Sequence, residues 1–97
     1  TGYSVVITDR DFVISIAGKN NIYSVGDTIK PEVEEVANNK RTTWVNNDKS
    51  QVISPIIAQG DSMGAFIVIA AEGKIISETE VKLADTAAKF IAKNIEE

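Results

Sequence analysis

Three carboxylates lie in turn-like sequence, Asp9, Asp11 and Asp61. Three carboxylates brought together can hold a hard cation. Their spacing matches no calcium loop, and Arg10 stands between the first two. They have a simpler use as turn formers, because an aspartate side chain bonds the backbone N–H groups that follow it. Gly60, Gly64 and Gly73 make no phosphate cradle: neither G-x-G-x-x-G nor G-x-x-x-x-G-K-[ST] occurs. Gly60 and Gly64 instead fit the special backbone angles of a hairpin. Lys40-Arg41 is the strongest basic pair and lies close to Trp44, on whose indole a base could stack. Two cations in an acidic chain make a poor electrostatic funnel, and a solvated loop end is the plainer use of the pair. A serine nucleophile needs a base. Ser4, Ser15, Ser54 and Ser77 have no lysine at a recognisable partner spacing. No catalytic residue, metal ligand or cofactor is therefore assigned, and the chain reads as non-enzymatic.

Composition supports that reading. The 97 residues contain no cysteine and no histidine. Disulfide scaffolds, Cys or His zinc sites, thiol catalysis and His-based triads are thereby excluded. Lys+Arg 10 against Asp+Glu 14 leaves a net charge of -4, which is not the footprint of a nucleic-acid binder. The length bounds the chain to one small domain, residues 1–97. No apolar run reaches the ~20 residues of a membrane span, and no signal-peptide pattern is present. With no cysteines, the expected location is the cytoplasm. The missing initial Met reads as a piece of a longer protein.

The elements that must position any site follow from the apolar residues. Ile (14) and Val (10) supply over half of them, and Leu83 is the single leucine. β-Branched side chains suit a pleated surface, so the core is expected on a sheet. Residues 3–8 and 12–17 read as strands joined by the Asp9-Arg10-Asp11 turn. Both are apolar at most positions, which predicts a hairpin that is central or covered on both faces. Residues 22–29 read either as irregular chain or as a short helical turn followed by extended chain. Pro31 opens a helix to about residue 38, with Glu32, Glu34 and Glu35 near its positive end and Val33, Val36 and Ala37 on one face. A short strand follows at 41–45, then a strand at 51–58 in which Pro55 marks an edge, a bulge or an unpaired position. Residues 64–70 are apolar on both faces and so central. The Asn pairs 20–21, 38–39 and 46–47 fall in expected loops.

Residues 77–95 form the longest predicted helix. Ser77 and Glu80 fit a capping box, each side chain reaching the other's backbone N–H. Its apolar residues cover an arc of roughly 200° at 100° per residue. A helix on one sheet needs only about 100° or a little more, so the excess points to two contacts. Val81, Ala84, Ala88, Ile91 and Ile95 keep the 3,4,3,4 spacing of a helix–helix seam and are the expected dimer interface. In the alternative, Leu83, Ala87 and Phe90 face the sheet and an upstream segment covers the rest. For a ligand pocket, Tyr23, Trp44, Ile53 and Phe66 are side chains of the sort that line apolar clefts. They equally fill cores.

The order is hairpin, helix, strand, hairpin, long helix. Within it, I-T-D-R-D-F-V-I-S-I-A-G (7–18) resembles the first hairpin of a GAF or PAS-type sensor. S-P-I-I-A-Q-G-D-S-M-G-A-F-I-V-I (54–69) resembles the GAF strand pair, with a Gly-Asp turn between apolar strands. Joined to D-T-A-A-K-F-I-A-K-N-I (85–95), these stretches are similar to the C-terminal GAF-like domain of stage V sporulation protein T, a family of transcription regulators. The resemblance covers about two thirds of the chain. It implies an α+β fold with a GAF/PAS-like central antiparallel sheet of about five strands, helices packed on it and a long C-terminal helix. It implies a homodimer or higher homo-oligomer, a possible small-molecule effector, and DNA contact only through an N-terminal domain outside this sequence. A regulatory sensor and oligomerisation domain is the function so implied. A purely architectural dimeriser without ligand is the alternative.

Overall fold

A computed structural model of the chain describes residues 3–18, 23–45, 50–71 and 73–96. Its elements are β1 (Tyr3–Thr8), β2 (Val13–Ala17), α1 (Pro31–Asn39), β3 (Thr43–Trp44), β4 (Gln51–Ala58), β5 (Asp61–Ala70) and α2 (Glu78–Glu96). The fold is α+β, with one sheet in the order β2-β1-β5-β4-β3. Every neighbouring pair is antiparallel. The turns expected around Asn20-Asn21 and Asn46-Asn47 lie outside the described residues.

Strand β5 takes the centre, as its two-sided apolar sequence requires, and β1 pairs with it from Tyr3↔Ala70 to Thr8↔Ala65. The first hairpin departs from expectation on one side. Strand β2 is an edge, and Ile14 is 52% exposed. The register of β1 against β2 shifts between Ile7 and Thr8, so Ile7 faces Ser15 while Thr8 faces Val13, and Ile14 is left as the bulged residue. The start of that edge is met by irregular chain over residues 23–29; residue 22 of the ambiguous stretch lies outside the described residues. Val13 N–H donates to Asp27 O (2.8 Å), and Gly26 N–H donates back to Val13 O (2.8 Å). Asp9 forms the turn as its residue type dictates. One carboxylate oxygen accepts from the backbone N–H of Asp11 (2.8 Å) and of Phe12 (2.7 Å), which holds the carboxyl below its ordinary pKa.

Strand β3 is shorter than expected and pairs only with Val52 and Ile53. Beyond Ile53, no strand among the described residues pairs with the outer edge of β4. Pro55 lies there, where a missing N–H costs the ladder nothing and discourages added strands.

The two faces of the sheet carry different helices. Helix α1 sets Val33 and Val36 on a cluster of Val6, Val13, Tyr23, Ile53, Ala65, Ile67 and Ile69. Pro31 opens the helix, and Lys40 ends it in the left-handed conformation (φ 56°), one residue beyond the expected Asn38-Asn39 stop. Tyr23 reaches under it and donates to Gln51 Oε1 (2.6 Å), a buried pair that satisfies both polar ends. Burial, with Glu32 nearby, pushes the Tyr23 phenol well above its ordinary pKa. Helix α2 covers β4 and β5 on the opposite face, packing Ala84, Ala88 and Ala92 against Val52, Ile56, Ala58 and Val68. Half of the expected capping box forms. Ser77 N–H donates to Glu80 Oε1 (2.8 Å), but the Ser77 hydroxyl also donates to that carboxylate and does not cap the helix amide.

Candidate functional site

The β1–β2 and β4–β5 turns meet at one end of the sheet, beneath the side of α1. They enclose an open cavity of about 510 Å³. Asp9, Arg10 and Asp11 come from the first turn, Asp61 and Ser62 from β5, and Val33, Glu34, Ala37, Asn38 and Lys40 from α1 and its end. Two side chains tie the walls together. Arg10 Nε donates to Ser62 O (3.1 Å), and Ser62 Oγ donates to Ala37 O (2.6 Å). Lys40 Nζ donates to Gly60 O. Gly64 makes the close approach possible. A Cβ there would lie 2.0 Å from the carbonyl oxygen of Thr8. The three aspartates of the sequence do line one cavity, yet among the described residues no three acidic groups are placed to hold a metal ion.

A smaller cavity of about 320 Å³ lies on the α2 side, lined by Lys40, Thr42, Ser54, Pro55, Ile57, Asp85 and Lys89. Its centre is a polar latch. Ser54, 2% exposed, donates to Asp85 Oδ1 (2.8 Å); Thr42 donates to the same oxygen, and the two hydroxyls are 3.0 Å apart. The latch fixes α2 against β4 and against the chain leaving α1. Removing the acceptor leaves a buried hydroxyl short of a partner. Asp85→Ala is expected to lower stability by about 1–3 kcal/mol in urea, with an unchanged slope, and Asp85→Asn by less, since its amide oxygen still accepts. Lys40 lines both cavities and so stands between them.

The residues expected to form a ligand pocket do not share a space. Tyr23 and Ile53 are buried on the α1 face, whereas Trp44 and Phe66 pack on the α2 face. The expected helix seam also has other neighbours. Ala84 and Ala88 are fully buried against the sheet, Val81 and Ile91 pack beside them, and Ile95 is 47% exposed. The free apolar face of α2 is the one carrying Leu83 and Phe90, 62% and 66% exposed, with Ala87 between them. Helix α2 lies over β4 and β5, so Val5 and Ile7 of β1 stay half-buried beside Phe66.

A family model described as stage V sporulation protein T C-terminal, transcription factor, matches residues 1–96. The chain belongs to that family. Within the stage V sporulation protein T C-terminal family, it is 28% identical over 109 residues to stage V sporulation protein T of Bacillus subtilis (strain 168). The match takes in 99% of this chain and 61% of the relative, so the chain spans somewhat less than two thirds of the relative's length. No helix among the described residues is long and apolar enough to cross a membrane.

Sequence reasoning missed most of this family member's cavity wall. Thr28, Glu34 and Asn38 carry no local signal of a site, and Lys40 stands out only as half of a basic pair, because only the docking of α1 brings them to the turns. The Thr42–Ser54–Asp85 latch was equally silent, its members lying 12 to 43 positions apart.

Proposed function

We propose that this domain is the regulatory and self-association module of a sporulation transcription regulator, whose DNA contacts belong to another domain. One observation carries the reading. Leu83, Ala87 and Phe90 make an apolar stripe along α2, spaced 4 then 3, in which Leu83 and Phe90 are exposed and Ala87 is half-buried. Large side chains left in water on a small domain mark a surface that another surface covers. A second copy brings the same stripe, so a twofold pairing buries both at once. The stripe replaces Val81, Ala84, Ala88, Ile91 and Ile95 as the proposed interface, because the alanines of that set already serve the sheet.

Effector sensing is the second half of the proposal. An effector in the larger cavity would bear on Lys40 and, through the adjoining Thr42–Asp85 latch, on the seat of α2. Binding that favours one seat of the helix shifts the pairing equilibrium by its difference in affinity for the two seats. The architectural alternative has its own support, since nine buried residues fill the middle of the α1 face. Sedimentation from micromolar to millimolar concentration tests the shared half. Association that grows with concentration is expected. A strict monomer at millimolar concentration overturns self-association of the isolated domain.

A further inference from the structure

Met63 is the one methionine of the chain. Strand β4 pairs Ile56 with Gly64 and Ile57 with Ser62, so Met63 is the extra residue of a bulge in β5. A bulge re-aims the side chain that it carries. This one leaves Met63 half-buried near the end of the sheet, packed on the cluster of Ile56, Ala58, Ala88 and Ala92.

The other neighbour of the thioether is a cation. Arg10 Nη2 donates to Met63 Sδ (3.7 Å), while Nε of the same guanidinium donates to Ser62 O (3.1 Å). A thioether sulfur is a weak acceptor, so the first contact contributes little as it stands. A sulfoxide oxygen carries far more negative charge, and a guanidinium donating to it makes a charge-assisted bond. Arg10 is thus better placed for the oxidised side chain than for the reduced one. It is also exposed, so its side of the sulfur is open to solvent.

We infer that Met63 is a site of reversible oxidation by hydroperoxides, and that Arg10 receives the sulfoxide oxygen so that the oxidised domain stays folded. A sulfur lone pair attacks the peroxide. The S–O bond forms as the O–O bond breaks, and the proton on the transferred oxygen passes to the departing oxygen, which leaves as water or an alcohol. Sulfur is oxidised and the peroxide is reduced. Attack from the Arg10 side leaves the new oxygen facing the guanidinium, which fixes the handedness of a group that is chiral at sulfur. The new bond then ties the Asp9–Asp11 turn to β5 more firmly than the thioether does. The chemistry stands apart from the proposed function, since neither self-association nor an effector enters it.

Hydrogen peroxide on the folded domain tests the site, read by intact mass and peptide mapping. With one methionine and no cysteine, uptake of a single oxygen is easily assigned. The oxygen is expected at Met63, in one epimer, and removable by only one of the two methionine sulfoxide reductases, each of which takes one epimer. Chain oxidised in urea is expected to hold both epimers and to need both enzymes. Met63→Leu takes up no oxygen. Oxidation is expected to lower the melting temperature of Arg10→Leu by about 4–8 °C more than that of the parent, because the oxide there has lost its donor. A folded domain that takes up no oxygen under peroxide that oxidises the unfolded chain overturns the site. So does equal uptake by Met63→Leu. Equal amounts of the two epimers in the folded parent overturn the role of Arg10, a result that does not depend on Arg10→Leu folding. Equal melting losses in parent and Arg10→Leu overturn it as well.

Discussion

Gly64→Ala is expected to cost the domain about 3 kcal/mol or more, and to lower its melting temperature by about 12 °C or more. The added methyl meets backbone, not a side chain that can swing away. It would lie 2.0 Å from Thr8 O, 2.9 Å from Thr8 C and 3.1 Å from Asp9 Cα. Relief requires β1 and β5 to part where their ladder ends at Thr8↔Ala65. Parting moves Thr8, whose hydroxyl holds the Ala65 amide, and moves the Asp9 turn that forms the cavity wall. For a domain this size, total stability is about 5–15 kcal/mol, so the loss is a large share of it. Gly60→Ala is the control. Gly60 has φ 84°, so alanine there is strained, but its Cβ meets nothing within 4 Å. The expected cost is about 1–2 kcal/mol, from conformation alone. If Gly64→Ala melts no lower than Gly60→Ala, the close crossing of β1 over β5 is absent in solution.

The same crossing shows what the sequence could reveal. Local rules were enough for most elements. Alternating and two-sided apolar runs gave β1, β4 and β5, Pro31 opened α1, and the Ser77–Glu80 pair marked the start of α2. Facing was harder, because it depends on register between distant strands. Ile53 pairs with Ile67, and Phe66 pairs with Ser54, so Ile53 and Phe66 point to opposite faces. Nothing local to either residue says so. The proposed pocket of Tyr23, Trp44, Ile53 and Phe66 failed to assemble for that reason. Of the candidate site, only the turn residues Asp9, Asp11 and Asp61 were visible as possible neighbours.

Helix α2 is the instructive case. Its 200° apolar arc did predict two contacts, and the structure gives one to the sheet and leaves one free. Periodicity could not assign the halves. The sheet face already carries bulk in Val52, Ile56, Phe66 and Val68, so the helix approaches on its small residues, Ala84, Ala88 and Ala92. Close packing favours large against small across an interface. The large residues, Leu83 and Phe90, are thereby turned outward.

This assignment makes opposite demands on two glutamate substitutions. Ala88 is 2% exposed, within the Ile56–Ala58–Ala92 cluster. Ala88→Glu puts a longer side chain and a charge into an apolar cluster of Ile56, Ala58 and Ala92, and is expected to cost about 3–5 kcal/mol, enough to leave the domain largely unfolded if it starts near the low end of ordinary stability. Leu83→Glu changes a residue that is 62% exposed. Its expected effect on monomer stability is within about 0.5 kcal/mol. Twofold pairing, however, would bring two copies of the new charge to one interface, so each substitution acts twice. Like charges brought together there cost several kcal/mol, which predicts dissociation constants raised about a hundredfold or more. Circular dichroism and sedimentation on the same samples separate the two effects. A folded Ala88→Glu protein that has merely become monomeric would return the interface to the alanine seam. A Leu83→Glu, Phe90→Glu double variant that associates as tightly as the parent would remove the outward stripe from the interface. The physical distinction is simple: a residue that holds the helix to its own sheet cannot be altered without losing the monomer, whereas one that holds a second copy can.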